Sequence, residues 1–202
     1  MFELFTERFQ LTAGTSRPSD CAADSIPGLF ERFGGCTFGH GLYRVHDQAS
    51  ATQASRWVND AYPEFKGELA CFAFDWLGRQ FALDPSRGSN PDLEVIMLEP
   101  GTGEALEVPA AFSQFHDRGL HDYFDACLAP DFFAEWMATR VEDLKFQECA
   151  GYNVPLFLGG KDTVSNLEVS DTEVYWSLMG DLRLATRHLA PGTAVSEMDI
   201  QD

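Results

Sequence analysis

Leu69-Ala70-Cys71-Phe72-Ala73-Phe74, then Asp75-Trp76-Leu77-Gly78, then Arg79-Gln80-Phe81-Ala82-Leu83: this stretch decides the fold. Its first six residues are apolar at every position. A strand with one wet face alternates apolar and polar side chains, so a strand apolar on both faces belongs at the centre of a covered sheet. Asp75 to Gly78 has turn composition, and the second run returns as a hairpin. Further along, Leu93 to Leu98 is another strongly apolar strand. Pro100-Gly101-Thr102-Gly103 then turns the chain, and Ala105 to Val108 can pair back. Upstream, Thr37 to Val45 reads as a strand in which Gly39 and Gly41 mark a bulge or tight bend.

Helices surround these strands. Phe2, Phe5 and Phe9 recur at helical spacing through residues 1 to about 10. After a polar loop through Arg17-Pro18-Ser19-Asp20, Ser25 is a natural N-cap with Pro27 just inside, and Gly34-Gly35 ends the helix. Ala49 to Tyr62 reads as a helix with Trp57 and Val58 inward, stopped by Pro63. From Pro109 the apolar period becomes three and four, through Phe112 and Phe115, then Leu120, Phe124, Cys127 and Leu128, then Phe132, Phe133, Trp136 and Met137. A final helix is expected from Thr172 to about His188, capped by Asp171. Val174, Tyr175, Leu178, Leu182, Leu184 and Leu189 are expected near its buried side, and the tail after Pro191 is expected to be ordered only in part. The fold class is α+β: a curved mixed or antiparallel sheet within residues 30–108, flanked by helices and followed by a helical C-terminal half. The expected parts are 1–108 and 109–202, packed as one unit.

The chain's 202 residues are 45% hydrophobic, with 17 Phe, enough to bury a sizeable core. Its net charge is -18, from 14 basic and 32 acidic residues. Such a surface repels phosphate backbones and anionic lipid, so the expectation is no nucleic acid and no membrane. It attracts a basic protein partner, although acidity also serves solubility alone. The five Cys contain no Cys-x-x-Cys and read as reduced thiols, with Cys36, between glycines and Thr37, the one expected to be exposed. The N-terminus lacks a basic segment followed by an apolar one, and a cytoplasmic location is expected.

Chemistry-bearing clusters are few. His116-Asp117 and His121-Asp122 place two His five positions apart, whereas helical metal pairs sit three or four apart. A solvated helix start with caps is the plainer reading. No Gly-x-Ser-x-Gly elbow occurs. No catalytic residue, metal site or cofactor is expected. The charge layout says more. Asp92, Glu94, Glu99, Glu104, Glu107 and Asp117 lie between Arg87 and Arg118 with no base among them, and Asp122, Asp125, Asp131 and Glu135 follow before Arg140. Glu99, Glu104 and Glu107 flank a turn, where recognition residues concentrate. Trp76 also sits at a turn, where a core residue is less expected, and Trp is enriched at binding hot spots. These four are the candidate partner-binding residues.

The second half holds Gly151-Tyr152-Asn153-Val154-Pro155-Leu156-Phe157-Leu158-Gly159-Gly160-Lys161-Asp162, then Asn166-Leu167-Glu168 and Val174-Tyr175-Trp176. It reads as an apolar run, a Gly-Gly turn and an acid-started helix. It is no phosphate loop: Pro155 stands where the first glycine should be and Asp162 where Ser or Thr should follow the Lys. The segment resembles the C-terminal domain of a bacterial type VI secretion immunity family. The first half resembles the SUKH (Smi/Knr-like) superfamily, through Phe33-Gly34-Gly35, Gly41-Leu42-Tyr43 and the strand–turn–strand from Phe72 to Asp84.

That resemblance implies a binding protein and not an enzyme. Such proteins are encoded beside a toxin and neutralise it by capping its active site, and their partners are often nucleases or other toxins acting in the cytoplasm. The second reading is a SUKH-like regulatory scaffold for an endogenous protein. A metal-dependent hydrolase around His116 and His121 is the third.

Overall fold

The computed structural model describes residues 2–17, 25–85 and 92–189. The strands β1 (Leu11–Ala13), β2 (Thr37–Phe38), β3 (Tyr43–Val45), β4 (Ala70–Asp75), β5 (Gln80–Leu83), β6 (Glu94–Glu99) and β7 (Glu104–Ala111) form one sheet. Their order in space is their order in sequence, and every neighbouring pair is antiparallel. Of the two sheet types expected, the purely antiparallel one is observed. The strand expected from Thr37 to Val45 is a tight hairpin, because a 3-10 turn at Gly39–Gly41 splits it.

Both faces of this meander are covered, as the apolarity of β4 requires. On β6, Val95 and Met97 point into one core, and Ile96 and Leu98 into the other. The larger core is built on aromatics. Phe2, Phe5 and Phe9 of the N-terminal segment, whose helix is α1 (Glu3–Arg8), meet Phe33 of α2 (Ile26–Phe33), and Tyr43, Phe72, Phe81 and Phe115 join them. Phe5 alone lies within 6 Å of Phe9, Phe33, Phe38, Tyr43 and His116 ring centroids. The opposite face is covered by α3 (Gln48–Ala61), through Ala54, Val58 and Ala61, and by Trp176 of α8 (Thr172–Thr186). Ser25 caps α2 by accepting from Gly28 N. Asp47 and Ser50 close a reciprocal capping box on α3, an arrangement that satisfies two otherwise orphaned donors.

After β7 the chain runs through α4 (Phe112–Gln114), a π-helical turn (Phe115–Gly119), α5 (Leu120–Asp122), α6 (Phe124–Leu128) and α7 (Pro130–Met137). This half also holds a second sheet, β8 (Glu148–Tyr152) paired antiparallel with β9 (Leu167–Asp171). The chain does not enter a helix directly after Gly159-Gly160. It makes a 3-10 turn at Val164–Asn166 and completes β9 before Asp171 caps α8, accepting from Glu173 N and Val174 N.

Three expectations about burial are corrected. On α8 the buried residues are Thr172, Tyr175, Trp176, Met179 and Gly180, whereas Val174 is 63% exposed and Leu178 44%. Apolar residues lie on its outer face as well, so periodicity did not single out its inner face. Gly180 lets that face approach α3 closely, since an added Cβ would come 3.0 Å from the Ala61 Cβ. Cys36 is wholly buried, like Cys71, Cys127 and Cys149. His116 is buried too, its Nε2 2.9 Å from the Tyr43 hydroxyl, and burial pulls its pKa down to about 3. Its neighbour Asp117 is a cap for a distant helix, accepting from Phe2 N at 2.7 Å and Phe5 N at 3.4 Å. The expected behaviour of the tail after Pro191 lies outside the described residues.

Candidate protein-binding surface

The four sequence-chosen residues separate into a buried pair and an exposed pair. Trp76 is fully buried. Its Nε1 donates to Leu128 O at 2.8 Å, and its ring packs on Phe132, Phe133 and Trp136 at 5.3 to 5.6 Å. The turn that carries it lies beneath α6 and α7, which corrects its expected place at the surface. Glu99 is 8% exposed, with Oε2 3.7 Å from the Arg79 guanidinium. Burial pushes its carboxyl up to about 7 against the pull of Arg79. Glu104 and Glu107 are exposed on β7, an edge strand of the sheet. Glu107 lines a groove of about 350 Å³ together with Glu64, Lys66 and Asp84. Charges and a proline (here Pro109) on an edge also discourage unwanted strand pairing.

Behind this surface a polar seam joins the two halves. Arg79 donates through Nε to Asp75 Oδ2 at 2.7 Å and through one terminal nitrogen to Cys127 O at 2.9 Å. Burial works against its charge, but Asp75 and Glu99 more than restore it and raise its pKa. Asp75 Oδ1 also accepts from the backbone of Leu77 and Arg79, fixing the β4–β5 turn. Arg44 is fully buried and donates to Lys145 O, Phe146 O, Glu148 O and Asp75 O. Trp176 Nε1 donates to Gly78 O at 2.7 Å. Each of these bonds crosses from residues 1–108 to the later part, or braces the turn where the two meet.

The Gly151–Asp162 segment is a stapled loop. Asn166 accepts from Val154 N and donates to Val154 O and Lys161 O, and Tyr152 donates to Asp162 Oδ1 at 2.6 Å. Gly160 is required by close approach, since an added Cβ would sit 1.9 Å from Val154 O. Leu156 N donates to Gly101 O, which docks the loop on the β6–β7 turn. The motif therefore fixes backbone and presents no phosphate cradle.

Sequence reasoning missed a cleft of about 280 Å³ where α3 and α8 begin. The two helices run side by side with their N-termini together: Gln53 donates to Glu173, and Arg183 at the far end donates to Ala61 O. Asp47, Asp171 and Glu173 bring carboxylates to the cleft, and Trp57, Phe74 and Phe146 bring rings. No Lys or Arg is among the described residues that line it. His46 lines it as well, 3% exposed and stacked on Phe74 at 4.5 Å. Burial pulls its imidazole down to about 4, so it is neutral at pH 7. His46 Nε2 lies 2.9 Å from Gln80 Oε1, while Nδ1 has no hydrogen-bond partner. Val174 and Leu178 are exposed apolar residues on α8. Among the described residues, no three His, Cys, Asp or Glu gather as metal ligands, and no helix is long and apolar enough to cross a membrane.

The class is thus an α+β protein on a seven-stranded antiparallel meander, whose buried polar groups join its two halves. Residues 117–183, in its second half, match the family described as T6SS immunity protein Tdi1, C-terminal. The match spans α5 to α8 and includes the stapled loop, as the sequence resemblance implied. The fold is also that of a solved protein, the crystal structure of Atu4351 from Agrobacterium tumefaciens, with a TM-score of 0.57 and 14% identity over 89% of this chain and 88% of that one. At that identity the likeness speaks for the fold alone. No curated protein matches the sequence.

Proposed function

We propose that this chain is an immunity protein that binds a cognate toxin, encoded nearby and acting in the cytoplasm, and neutralises it by covering its active site. The observation that carries the reading is the immunity-family match over residues 117–183. The net charge of -18 supports a basic partner surface, such as the phosphate-binding cleft of a nuclease. Among the sequence-chosen residues, the exposed acids Glu104 and Glu107 support this reading.

The test is co-expression with the product of the adjacent gene. Growth arrest by that product alone, rescue by this chain and recovery of both in one complex is the expected result. A harmless neighbour, or rescue without a complex, contradicts the reading and favours the regulatory scaffold.

A further inference from the structure

We propose that the cleft between the N-termini of α3 and α8 is a seat for a cationic side chain, an arginine, presented by the protein partner. The inference rests on the partner-binding reading and names where on the chain, and by what chemistry, the partner is held.

Charge comes first. Asp47, Asp171 and Glu173 bring three carboxylates to the cleft. Asp47 and Asp171 also cap their helices: Asp47 Oδ1 accepts from Ser50, and Asp171 Oδ1 from Glu173 N and Val174 N. The helix ends themselves carry positive character, but two N-termini contribute only roughly one positive charge together. Arg44, buried 4.4 Å from the Phe74 ring, adds one positive charge behind the wall, and the three carboxylates still leave the cleft net negative.

Shape and donor chemistry narrow the ligand. Trp57 and Phe146 are half-buried, with ring surface facing the space. A guanidinium stacks on aromatic faces and carries five donors and no acceptor. The chain uses the same pairing within itself: Arg183 lies 3.9 Å above the Tyr62 ring and pairs with Glu64. What the cleft offers is acceptors. Beyond the carboxylates, His46 Nδ1 has no partner in a nearly sealed position, and it is an acceptor when the ring proton sits on Nε2, the tautomer that donates to Gln80 Oε1. A buried polar atom without a partner is costly, so native structures seldom keep one without a reason. An N–H donor entering the cleft is such a reason.

The first test needs no toxin. The full chain is titrated with N-acetyl-arginine amide and, separately, with the neutral N-acetyl-citrulline amide, following the Trp57 indole N–H by NMR. The expected result is a saturable Trp57 shift with the arginine compound and about tenfold weaker binding of citrulline. Glu173→Gln should weaken the arginine response, and its exposed position leaves folding intact. Equal shifts with both compounds, no shift with either, or an unchanged response in Glu173→Gln would overturn the seat. The second arm uses the toxin complex. Trp57→Leu and Glu173→Gln should each weaken it about tenfold or more. A seat that takes the arginine compound while both variants leave the complex unchanged overturns the assignment to the partner. The immunity reading fails separately, when the wild-type chain forms no complex at all.

Discussion

Two acidic regions of this molecule use the same side chains to opposite ends. In the seam, Asp75 and Glu99 are buried against Arg79, and Arg44 spends its donors on four carbonyls. Around the α3–α8 cleft, Asp47, Asp171 and Glu173 face solvent with no base among their described neighbours in the cleft wall. The seam's charges are matched inside the chain. The cleft's carboxylates are met by helix ends and by Gln53, with no cation among the described residues that line it. Burial and pairing, not residue type, separate an acid that holds the fold from one that can hold a partner.

The largest expected effect breaks the seam. Arg79→Ala leaves Asp75 buried without its counter-charge, and removing one partner of a buried pair costs about 3–5 kcal/mol. Urea denaturation should show that loss. Glu107→Gln on the open edge should stay within about 0.5 kcal/mol of wild type. Similar losses in both variants would erase the distinction between the regions.

The next effect reads pH. Glu99 has a folded pKa raised from 4.5 to about 7. The native state then holds a proton that the unfolded state releases, so this group's contribution falls as pH rises from about 4.5 to about 7 and is flat above. The size is about 3 kcal/mol. His46 and His116, lowered to about 4 and about 3, act in the other direction, with stability lost as pH falls below about 6.5. Wild type alone therefore mixes opposing slopes. The difference between wild type and Glu99→Gln isolates the carboxylate: the variant should gain relative stability from pH 5 to pH 8. A constant difference would place Glu99 outside the seam's electrostatics.

A smaller effect concerns cooperativity. Because Arg44, Trp76 and Trp176 bond across the boundary near residue 108, the two parts should unfold in one transition. Tryptophan fluorescence and far-UV circular dichroism should give coincident urea curves. Two separated transitions would divide the chain at that boundary.

The sheet was legible because its signal is local. Six apolar residues from Leu69 to Phe74 require cover on both faces, and two cores lie on the two faces. The caps at Ser25 and Asp171 were legible for the same reason. Trp76 was not, since its cover comes from Leu128, Phe132 and Trp136, more than fifty residues away in sequence. A turn is a surface feature only until another part of the chain packs on it. The inner face of α8 was obscured by apolar residues on its outer face, Val174 and Leu178. The cleft was invisible because its walls come from separate segments around His46, Trp57, Phe74, Phe146 and Asp171. Only Glu104 and Glu107 among the chosen site residues stayed at the surface. They sit near the C-terminal end of the α3–α8 pair, where Tyr62 donates to Glu104 O. The cleft lies at the other end, about 21 Å away by the rise of a 14-residue helix.

The most direct test of the account is the association rate of the purified chain with its toxin as ionic strength rises. If the exposed acids meet a basic surface, the rate falls steeply with salt, the decline flattens in Glu173→Gln, and Glu99→Gln behaves as wild type. A rate indifferent to salt would contradict it, leaving the charge to solubility and the contact to the apolar residues of α8.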